Sequence, residues 1–253
     1  MSLRVGFDID GVLADFRSAF RQTAEELLNR RVTDAIGPEQ TPSSLSADDV
    51  RRVWEHIAKT QNWWMEVPAY EPAQIARLYG LMRATGWEVV FMTKRPASAG
   101  DSVQFQTQWW IERFGFYLPA VVTVPGSRGD IANGLRLDLV IDDQIINCAE
   151  VISAGSTKAV LMLRDPDNAA RAHAIDRGVG VVSTLAEAIT VLERLHEVVP
   201  HTRGRLMRLT DWFKPAVEAH TLPDNPRAVR PIPSFTTHER TLRHKGAKDH
   251  EDH

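Results

Sequence analysis

The sequence predicts an α/β protein with a doubly wound parallel sheet and a small helical cap inserted after the first strand. Two observations lead to this prediction. Short, almost continuously apolar strands alternate with helical segments after residue 72, which is typical of parallel strands covered on both faces. Residues 17–71 interrupt this alternation with helical patterns alone. We therefore expect a core domain of residues 1–16 and 72–199, with a cap of residues 17–71.

The elements before the regular alternation follow from local signals. Residues 3–8 are short and apolar and end in an acidic turn, which indicates a buried strand, and residues 16–29 carry apolar side chains at helical spacing. Ser46 and Asp49 form the pattern of a capping box at the start of a second cap helix. Pro72 suits the first turn of a third helix, and Gly86 suits its C-terminal cap.

From residue 87 onward, strand and helix patterns alternate until residue 196. The strands have continuous apolar runs, and the helices have apolar residues on one face. The predicted strands are 87–93, 120–124, 137–143, 158–164 and 179–182, and the predicted helices are 101–114, 129–135, 145–154 and 184–196.

Composition and charge exclude several classes of protein. Hydrophobic residues make up 43% of the 253 residues and charged residues 25%, which excludes global disorder. A single cysteine, Cys148, excludes an internal disulfide. The N-terminus lacks a signal-peptide pattern, and no apolar run approaches the roughly 20 residues of a membrane span. We expect a soluble, cytoplasmic protein without a membrane partner.

Residues 200–253 differ from the rest of the chain. Residues 201–253 hold 10 Lys+Arg against 7 Asp+Glu, and because the whole chain has a net charge of −3, the first 200 residues carry −6. We expect a basic, Pro- and His-rich tail that is partly disordered. The acidity of residues 1–200 argues against long nucleic acid as a partner.

Three predicted strands end in polar residues that can bind metal or phosphate or take part in catalysis. These residues are Asp8 and Asp10 after the first strand, Thr93 and Lys94 after the second, and Asp142 and Asp143 after the fourth. Ligands of open α/β sheets bind beyond the carboxyl ends of the strands, where these side chains meet. Four carboxylates at one edge repel one another unless a cation lies among them, and hard oxygen ligands suit Mg²⁺. The sequence therefore predicts a magnesium and phosphate site.

Three segments make the sequence resemble a known superfamily. FDIDGVLADF (7–16), FMT (91–93) and LVIDD (139–143) resemble three of the four motifs of the haloacid dehalogenase (HAD) superfamily of phosphohydrolases. DGVLADF and NWWMEVPAYEPA (62–73) are similar to segments of the 5′(3′)-deoxyribonucleotidase family. The resemblance covers about residues 3–163. It implies a HAD-like sheet and a Mg²⁺-dependent phosphomonoesterase that hydrolyses a nucleoside monophosphate through an aspartyl-phosphate.

The resemblance also implies roles for individual residues. Asp8 would be the nucleophile, and Asp10 would protonate the leaving oxygen and then activate water. Asp8, Asp143 and the Asp10 carbonyl would bind Mg²⁺ directly, and Asp142 would support it through water. Phosphate oxygens would be held by Thr93 and by the amides near Gly11 and Lys94.

The sequence departs from the superfamily pattern at two positions. The third motif is a lysine, but no lysine occurs from residue 95 to residue 157. Arg128 is the best-placed replacement, with Lys94 or Arg95 as the alternative source of charge. Gln144 stands where an arginine commonly follows the paired acids. We expect this second departure to affect the substrate rather than the chemistry.

Aromatic residues on or beside the cap bear on the substrate. Phe16 and the pair Trp63 and Trp64 either stack a nucleobase or pack the interior, and Trp54 is expected to pack the small core of the cap. Other interpretations remain: the same machinery acting on a polynucleotide 3′-phosphate or a sugar phosphate, or a catalytically impaired phosphate-binding protein. A homodimer is compatible with the sequence, which does not indicate the oligomeric state.

Overall fold

A computed structural model describes residues 2–33 and 42–198 of the chain. Strands and helices alternate after residue 86, as expected. The strands are β1 (Arg4–Asp8), β2 (Glu88–Thr93), β3 (Ala120–Thr123), β4 (Leu139–Asp142), β5 (Lys158–Met162) and β6 (Gly180–Val182). The helices are α1 (Phe16–Leu28), α2 (Ala47–Lys59), α3 (Pro72–Thr85), α4 (Val103–Arg113), α5 (Arg128–Gly134), α6 (Ile145–Ala154), α7 (Asn168–Asp176) and α8 (Leu185–Val198), with a 3₁₀ helix at Trp63–Met65.

The six strands form one parallel sheet in the order β3-β2-β1-β4-β5-β6. β1 lies between β2 and β4, and Phe7 pairs with Phe91 on one side and with Ile141 on the other. The strand order reverses between β1 and β4, which is the point where open sheets bind ligands. The predicted doubly wound α/β sheet is confirmed, and all the strand ends that carry acidic residues meet at one edge.

Apolar side chains cover both faces of the sheet, which explains the continuous apolar runs in the strands. One cluster includes Phe7, Phe91 and Trp110, and the other includes Met92 and Val140. Burial on both faces leaves the carboxyl edge as the part of the central strands where polar side chains can reach solvent or a ligand.

The chain between β1 and α3 contains only helical elements among its described residues. The predicted capping box at Ser46 and Asp49 is present at the start of α2. The two ends of this segment lie side by side, because the Asp15 amide donates to the Pro68 carbonyl at 2.7 Å and the Tyr70 amide donates to the Leu13 carbonyl at 3.0 Å. The segment therefore leaves and rejoins the sheet next to the end of β1. The assignment of residues 17–71 as a cap stays a prediction.

Among the described residues, α7 is an α-helix that the sequence pattern did not indicate. Ala174 is its one buried residue, so the helix lacks the apolar stripe on which periodicity depends. The Asp167 side chain caps its first turn by accepting hydrogen bonds from two backbone amides at 2.9 Å.

Some expectations fall on parts of the chain that the structure does not describe. The predicted tail of residues 200–253 lies outside the described residues, and so do residues 34–41. Among residues 2–33 and 42–198, none of the helices combines the length and apolar character that a membrane span requires.

Candidate active site

Asp8 and Arg128 are in contact at the carboxyl edge of the sheet. Asp8 ends β1 and is 5% exposed, and Nη2 of Arg128 donates a hydrogen bond to its Oδ1. Burial raises the pKa of Asp8 well above its usual range, repulsion from the Asp142 carboxylate raises it further, and Arg128 lowers it. Arg128 is the nearest counter-charge to a carboxylate that is crowded by other acids.

Arg128 reaches Asp8 because α5 begins directly against α6. The Glu150 carboxylate accepts hydrogen bonds from the Ser127 hydroxyl at 2.9 Å and from the Arg128 amide at 3.0 Å. Gly129 allows this close approach, since a Cβ at that position would lie 2.4 Å from the Glu150 carbonyl oxygen. The sequence Ser-Arg-Gly thus provides a helix cap, a cation and a close contact in three successive residues.

Three polar atoms beside Asp8 are buried without a hydrogen-bond partner in the described part of the chain. They are Nε and Nη1 of Arg128 and Oδ2 of Asp142, and this Nε and Oδ2 form a longer ion pair at 3.4 Å. The other oxygen of Asp142 accepts from the Gln144 amide and from Nδ2 of Asn147, both at 2.9 Å. Leaving a buried donor unsatisfied costs about 1–3 kcal/mol. An anion near Arg128 and a cation near Asp142 would each remove such a cost.

Gly11 and Asp143 approach each other closely. Gly11 has a φ of 82°, and a Cβ there would lie 2.0 Å from Oδ2 of Asp143. Glycine is therefore required at this position for two reasons, its backbone conformation and the space that the Asp143 carboxylate occupies. This contact places Asp143 against the loop that carries Asp10.

The residues at this edge fit Mg²⁺ as a bound cation. Among the described residues, no group of three or more His, Cys, Asp or Glu side chains forms a metal site. Mg²⁺ usually takes one or two carboxylates and completes its shell with carbonyls, waters and substrate oxygens. Asp8 and Asp143 would be such carboxylates, and the resemblance implies the Asp10 carbonyl as a further ligand. The crowding of acids that raises the pKa of Asp8 favours a cation here, and so does the Asp142 oxygen that accepts no hydrogen bond.

Asp10 has a different cation as its partner. Nε of Arg95 lies 3.2 Å from Oδ1 and 2.9 Å from Oδ2 of Asp10, and Nη2 lies 2.9 Å from Oδ1. The Arg95 side chain is fully buried. Its backbone amide donates to the Thr93 hydroxyl at 3.2 Å, which ties it to the end of β2. Arg95 and Arg128 therefore serve different carboxylates.

One cavity of about 220 Å³ brings most of the predicted site residues together. Both charged and aromatic residues line it. The predicted residues that line it are Asp8, Asp10, Phe16, Trp64, Lys94, Arg128 and Asp143. Three further predicted residues lie beside the cavity. Asp142 contacts Arg128, Gly11 contacts Asp143, and Thr93 contacts Arg95.

Trp63 and Trp54 line different cavities. Trp63 lines a separate cavity of about 180 Å³ and donates from Nε1 to the Thr23 hydroxyl at 3.3 Å. Trp54, expected to pack the small core of the cap, packs against Phe20 of α1 and also lines the Asp8 cavity. Its ring stacks on Phe16 with a centroid distance of 5.6 Å and an interplanar angle of 19°.

Trp54 is also the least buried of the aromatic residues considered. Phe16 is 8% exposed and Trp64 is 1% exposed, whereas Trp54 is partly exposed. The indole nitrogen of Trp64 donates to the Pro96 carbonyl at 2.9 Å, so that this ring is held in place. Trp54 and Pro96 line both the Asp8 cavity and a neighbouring, mostly apolar cavity of about 430 Å³. Trp54 is thus the ring most available to a ligand.

The sequence interpretation missed Arg164, which holds the loop after β1. Its Nε donates to the Gly11 carbonyl at 3.0 Å, its Nη2 donates to the Val12 carbonyl at 2.5 Å, and its Nη1 lies 3.1 Å from Glu71. Its guanidinium also lies 3.8 Å from the centre of the Tyr70 ring. One signal was available, because Arg164 follows β5 at the same edge as the acidic residues.

Comparisons with known proteins identify the fold. No family model matches the chain, and no curated protein is significantly similar to it. A phosphonoacetaldehyde hydrolase-like protein from Oleispira antarctica matches with a TM-score of 0.50 and 16% identity over 80% of this chain and 95% of that one. The chain is thus similar in fold to that protein.

Two further solved structures are similar at lower scores. A hydrolase from Pseudomonas syringae matches with a TM-score of 0.46 and 14% identity, over 77% of this chain and 99% of that one. A HAD hydrolase of family IA, variant 3, from Entamoeba histolytica matches with a TM-score of 0.46 and 14% identity, over 74% of this chain and 95% of that one.

Proposed function

We propose that this protein is a Mg²⁺-dependent phosphomonoesterase of the HAD type that hydrolyses a (deoxy)nucleoside monophosphate through an aspartyl-phosphate on Asp8. One observation carries the proposal. Asp8 touches Arg128 in the wall of a cavity, and Nη1 of Arg128 is buried with no partner among the described residues. A phosphate group beside Asp8 would supply that partner. The HAD-type fold supports the same conclusion.

The proposed reaction uses Asp8 and Asp10 in two steps. An Asp8 carboxylate oxygen attacks phosphorus, the bond from phosphorus to the ester oxygen breaks, and the leaving oxygen takes a proton from Asp10. Water then attacks the same phosphorus and gives a proton to Asp10. The bond from phosphorus to Asp8 breaks, inorganic phosphate leaves, and both carboxyl groups return to their starting states. One water is consumed for each ester hydrolysed.

Mg²⁺ and Arg128 would share the stabilisation of charge. When bound, Mg²⁺ supplies positive charge that offsets the carboxylates and the phosphoryl oxygens. Asp8, Asp143 and the Asp10 carbonyl would hold the ion, with Asp142 acting through water. Arg128 takes the place of the missing lysine, and its planar guanidinium can bind two phosphate oxygens at once.

The aromatic residues that line the cavity support a nucleotide as substrate. The Trp54 ring lines the same cavity as Asp8 and Arg128, and stacking of a base on such a ring is worth about 1–3 kcal/mol. The apolar cavity beyond Trp54 and Pro96 offers space for the base. A cavity of about 220 Å³ next to the acids suits a small monoester.

A panel of phosphate-release assays tests the proposal. The substrates are ribo- and deoxynucleoside monophosphates, sugar phosphates, a 3′-phosphorylated oligonucleotide and p-nitrophenyl phosphate, each with Mg²⁺ and with excess EDTA. We expect the highest kcat/KM with a nucleoside monophosphate, and no turnover in EDTA. Preference for a sugar phosphate would contradict the substrate assignment alone. Saturable phosphate binding without turnover of any ester would identify a binding protein.

A further inference from the structure

We infer that Arg95 is a positioning residue, which fixes the orientation of the Asp10 carboxyl group for proton transfer to the leaving oxygen. This inference rests on the proposed function and adds a residue to it. The superfamily-like motifs single out Thr93 at the end of β2, whereas the structure points two residues further, to a buried cation that reaches across the edge to Asp10.

Arg95 contacts both oxygens of Asp10, so that it determines the rotation of the carboxyl group as well as its position. Oδ1 of Asp10 accepts two of the three hydrogen bonds from the guanidinium, and Oδ2 accepts one. A carboxylate has about four lone-pair sites in all. Oδ2 therefore keeps acceptor capacity, and we assign the proton transfer to this oxygen.

The guanidinium is itself held from three directions. Nη1 of Arg95 donates to the Thr107 hydroxyl at 3.2 Å. The Trp64 ring lies 4.8 Å from Cζ of Arg95, and the Trp110 ring lies 5.8 Å from it. Thr107 and Trp110 belong to the rigid helix α4 and are fully buried. The orientation of Asp10 is thus set by the packed interior, although Asp10 itself lies on a loop.

Hydrogen-bond partners distinguish this role from that of a phosphate ligand, although Arg95 also lines the cavity. All three guanidinium nitrogens of Arg95 donate within the protein, Nε and Nη2 to Asp10 and Nη1 to Thr107. Nη1 of Arg128, by contrast, has no hydrogen-bond partner in the described part of the chain. Arg95 acts through Asp10, and Arg128 is left as the buried arginine that faces the phosphate.

The leaving group of the substrate provides the test. A nucleoside leaves as a strongly basic alkoxide that needs a proton, whereas p-nitrophenolate leaves without one. For each variant we would measure the ratio of kcat/KM for a deoxynucleoside monophosphate to kcat/KM for p-nitrophenyl phosphate. We expect Arg95→Gln to lower this ratio by about 10²-fold, because misplacement of a catalytic group costs that much. Thr107→Val, which removes one support of Arg95, should lower it by about 10-fold.

Arg113→Gln is the matched control. Arg113 lies on the same helix as Thr107, faces the Trp109 ring at 5.7 Å and pairs with Glu66 at 3.5 Å, but it does not contact Asp10. The ratio of the two kcat/KM values for Arg113→Gln should equal that of the wild type. Thermal unfolding of every variant shows which ones fold. If Arg95→Gln does not fold, the kcat/KM ratio of Thr107→Val decides the question.

Two results would overturn the inference in distinguishable ways. In the first, the wild type is active, and the folded Arg95→Gln and Thr107→Val variants lose kcat/KM equally on both substrates or on neither. This result refutes the positioning role and leaves the proposed function standing. A wild-type protein that hydrolyses no ester refutes the proposed function, and the inference falls with it.

Discussion

The side chains of Arg128 and Asp8 touch although 120 residues separate them in sequence. The contact exists because β1 and β4 are neighbours at the point where the strand order reverses, and because α5 begins at Arg128. The guanidinium also lies 3.4 Å from Oδ2 of Asp142. One arginine thus faces carboxylates from both strands. In the proposed function it would add positive charge for a dianionic phosphate that Mg²⁺ alone would not neutralise.

Replacement of Arg128 should therefore affect catalysis strongly. We expect Arg128→Ala to lower kcat/KM by about 10²–10³-fold, as loss of a group that stabilises developing charge does in other enzymes. Arg128→Lys should retain most of the activity or improve it. Steady-state kinetics on a nucleoside monophosphate measures both effects. Arg136→Ala, at an exposed position in the same stretch, is the control. A neutral Arg128→Ala would remove this residue from the site.

Gly11 offers a prediction about the metal rather than the phosphate. In Gly11→Ala the new Cβ would displace Asp143, and we expect the Mg²⁺ concentration for half-maximal activity to rise by about 10–100-fold. Gly86→Ala has a similar positive φ with nothing within 4 Å of the new Cβ. Gly86→Ala should cost about 1–2 kcal/mol of unfolding free energy, because it forces an L side chain into the left-handed region. Gly11→Ala should cost more, because it has the same strain and also displaces Asp143. An unchanged Mg²⁺ requirement in Gly11→Ala would show that Asp143 is not a ligand.

Trp54 should be the aromatic residue that senses the base. We expect Trp54→Ala to raise KM for a nucleoside monophosphate by roughly 5–150-fold, which corresponds to about 1–3 kcal/mol, and to spare p-nitrophenyl phosphate. Trp109→Ala is the control, because this tryptophan is 41% exposed and does not line the cavity. Equal losses on the two substrates would indicate that Trp54 only packs against Phe16.

Removal of Asp143 should separate metal binding from folding. Asp143→Ala is expected to abolish turnover or to raise the Mg²⁺ requirement sharply, while the unfolding temperature measured without metal changes little. Ca²⁺ should replace Mg²⁺ poorly in the wild type, because its larger and looser shell misplaces the phosphate. Full activity in excess EDTA, or equal rates with the two ions, would contradict the assignment of a magnesium site.

The periodicity of the sequence was sufficient to predict the edge where the site lies. Strands buried on both faces must be parallel and covered by helices, so the residues that end them meet in space. This rule predicts that Asp8, Thr93 and Asp142 lie at the same edge. The position of Arg128 at the start of a helix after β3 predicts that it lies there too. Local pattern and topology are therefore enough where a residue is fixed by the sheet itself.

Side chains that depend on the packing of one helix against another were not predictable in this way. Trp63 and Trp64 are adjacent in sequence, with ring planes 86° apart, and only tertiary contacts decide which of them faces the cavity. The same holds for Trp54 on α2. The hydrogen bonds of Arg95 to Asp10 and of Arg164 to Gly11 span 85 and 153 residues, and no periodicity carries such pairings.

Trapping of the phosphorylated enzyme tests the role of Asp8 most directly. The wild type and Asp8→Asn would be mixed with the preferred substrate and Mg²⁺, quenched in acid, digested and examined by mass spectrometry. Asp167→Asn serves as the control, because it replaces an exposed carboxylate that caps α7 with another good capping residue. We expect the wild type and Asp167→Asn to carry one phosphoryl group on the peptide that contains Asp8. Asp8→Asn should carry none and should turn over at least about 10⁴-fold more slowly. A phosphoryl group on another residue, or near-normal turnover by a folded Asp8→Asn protein, would contradict the proposed mechanism.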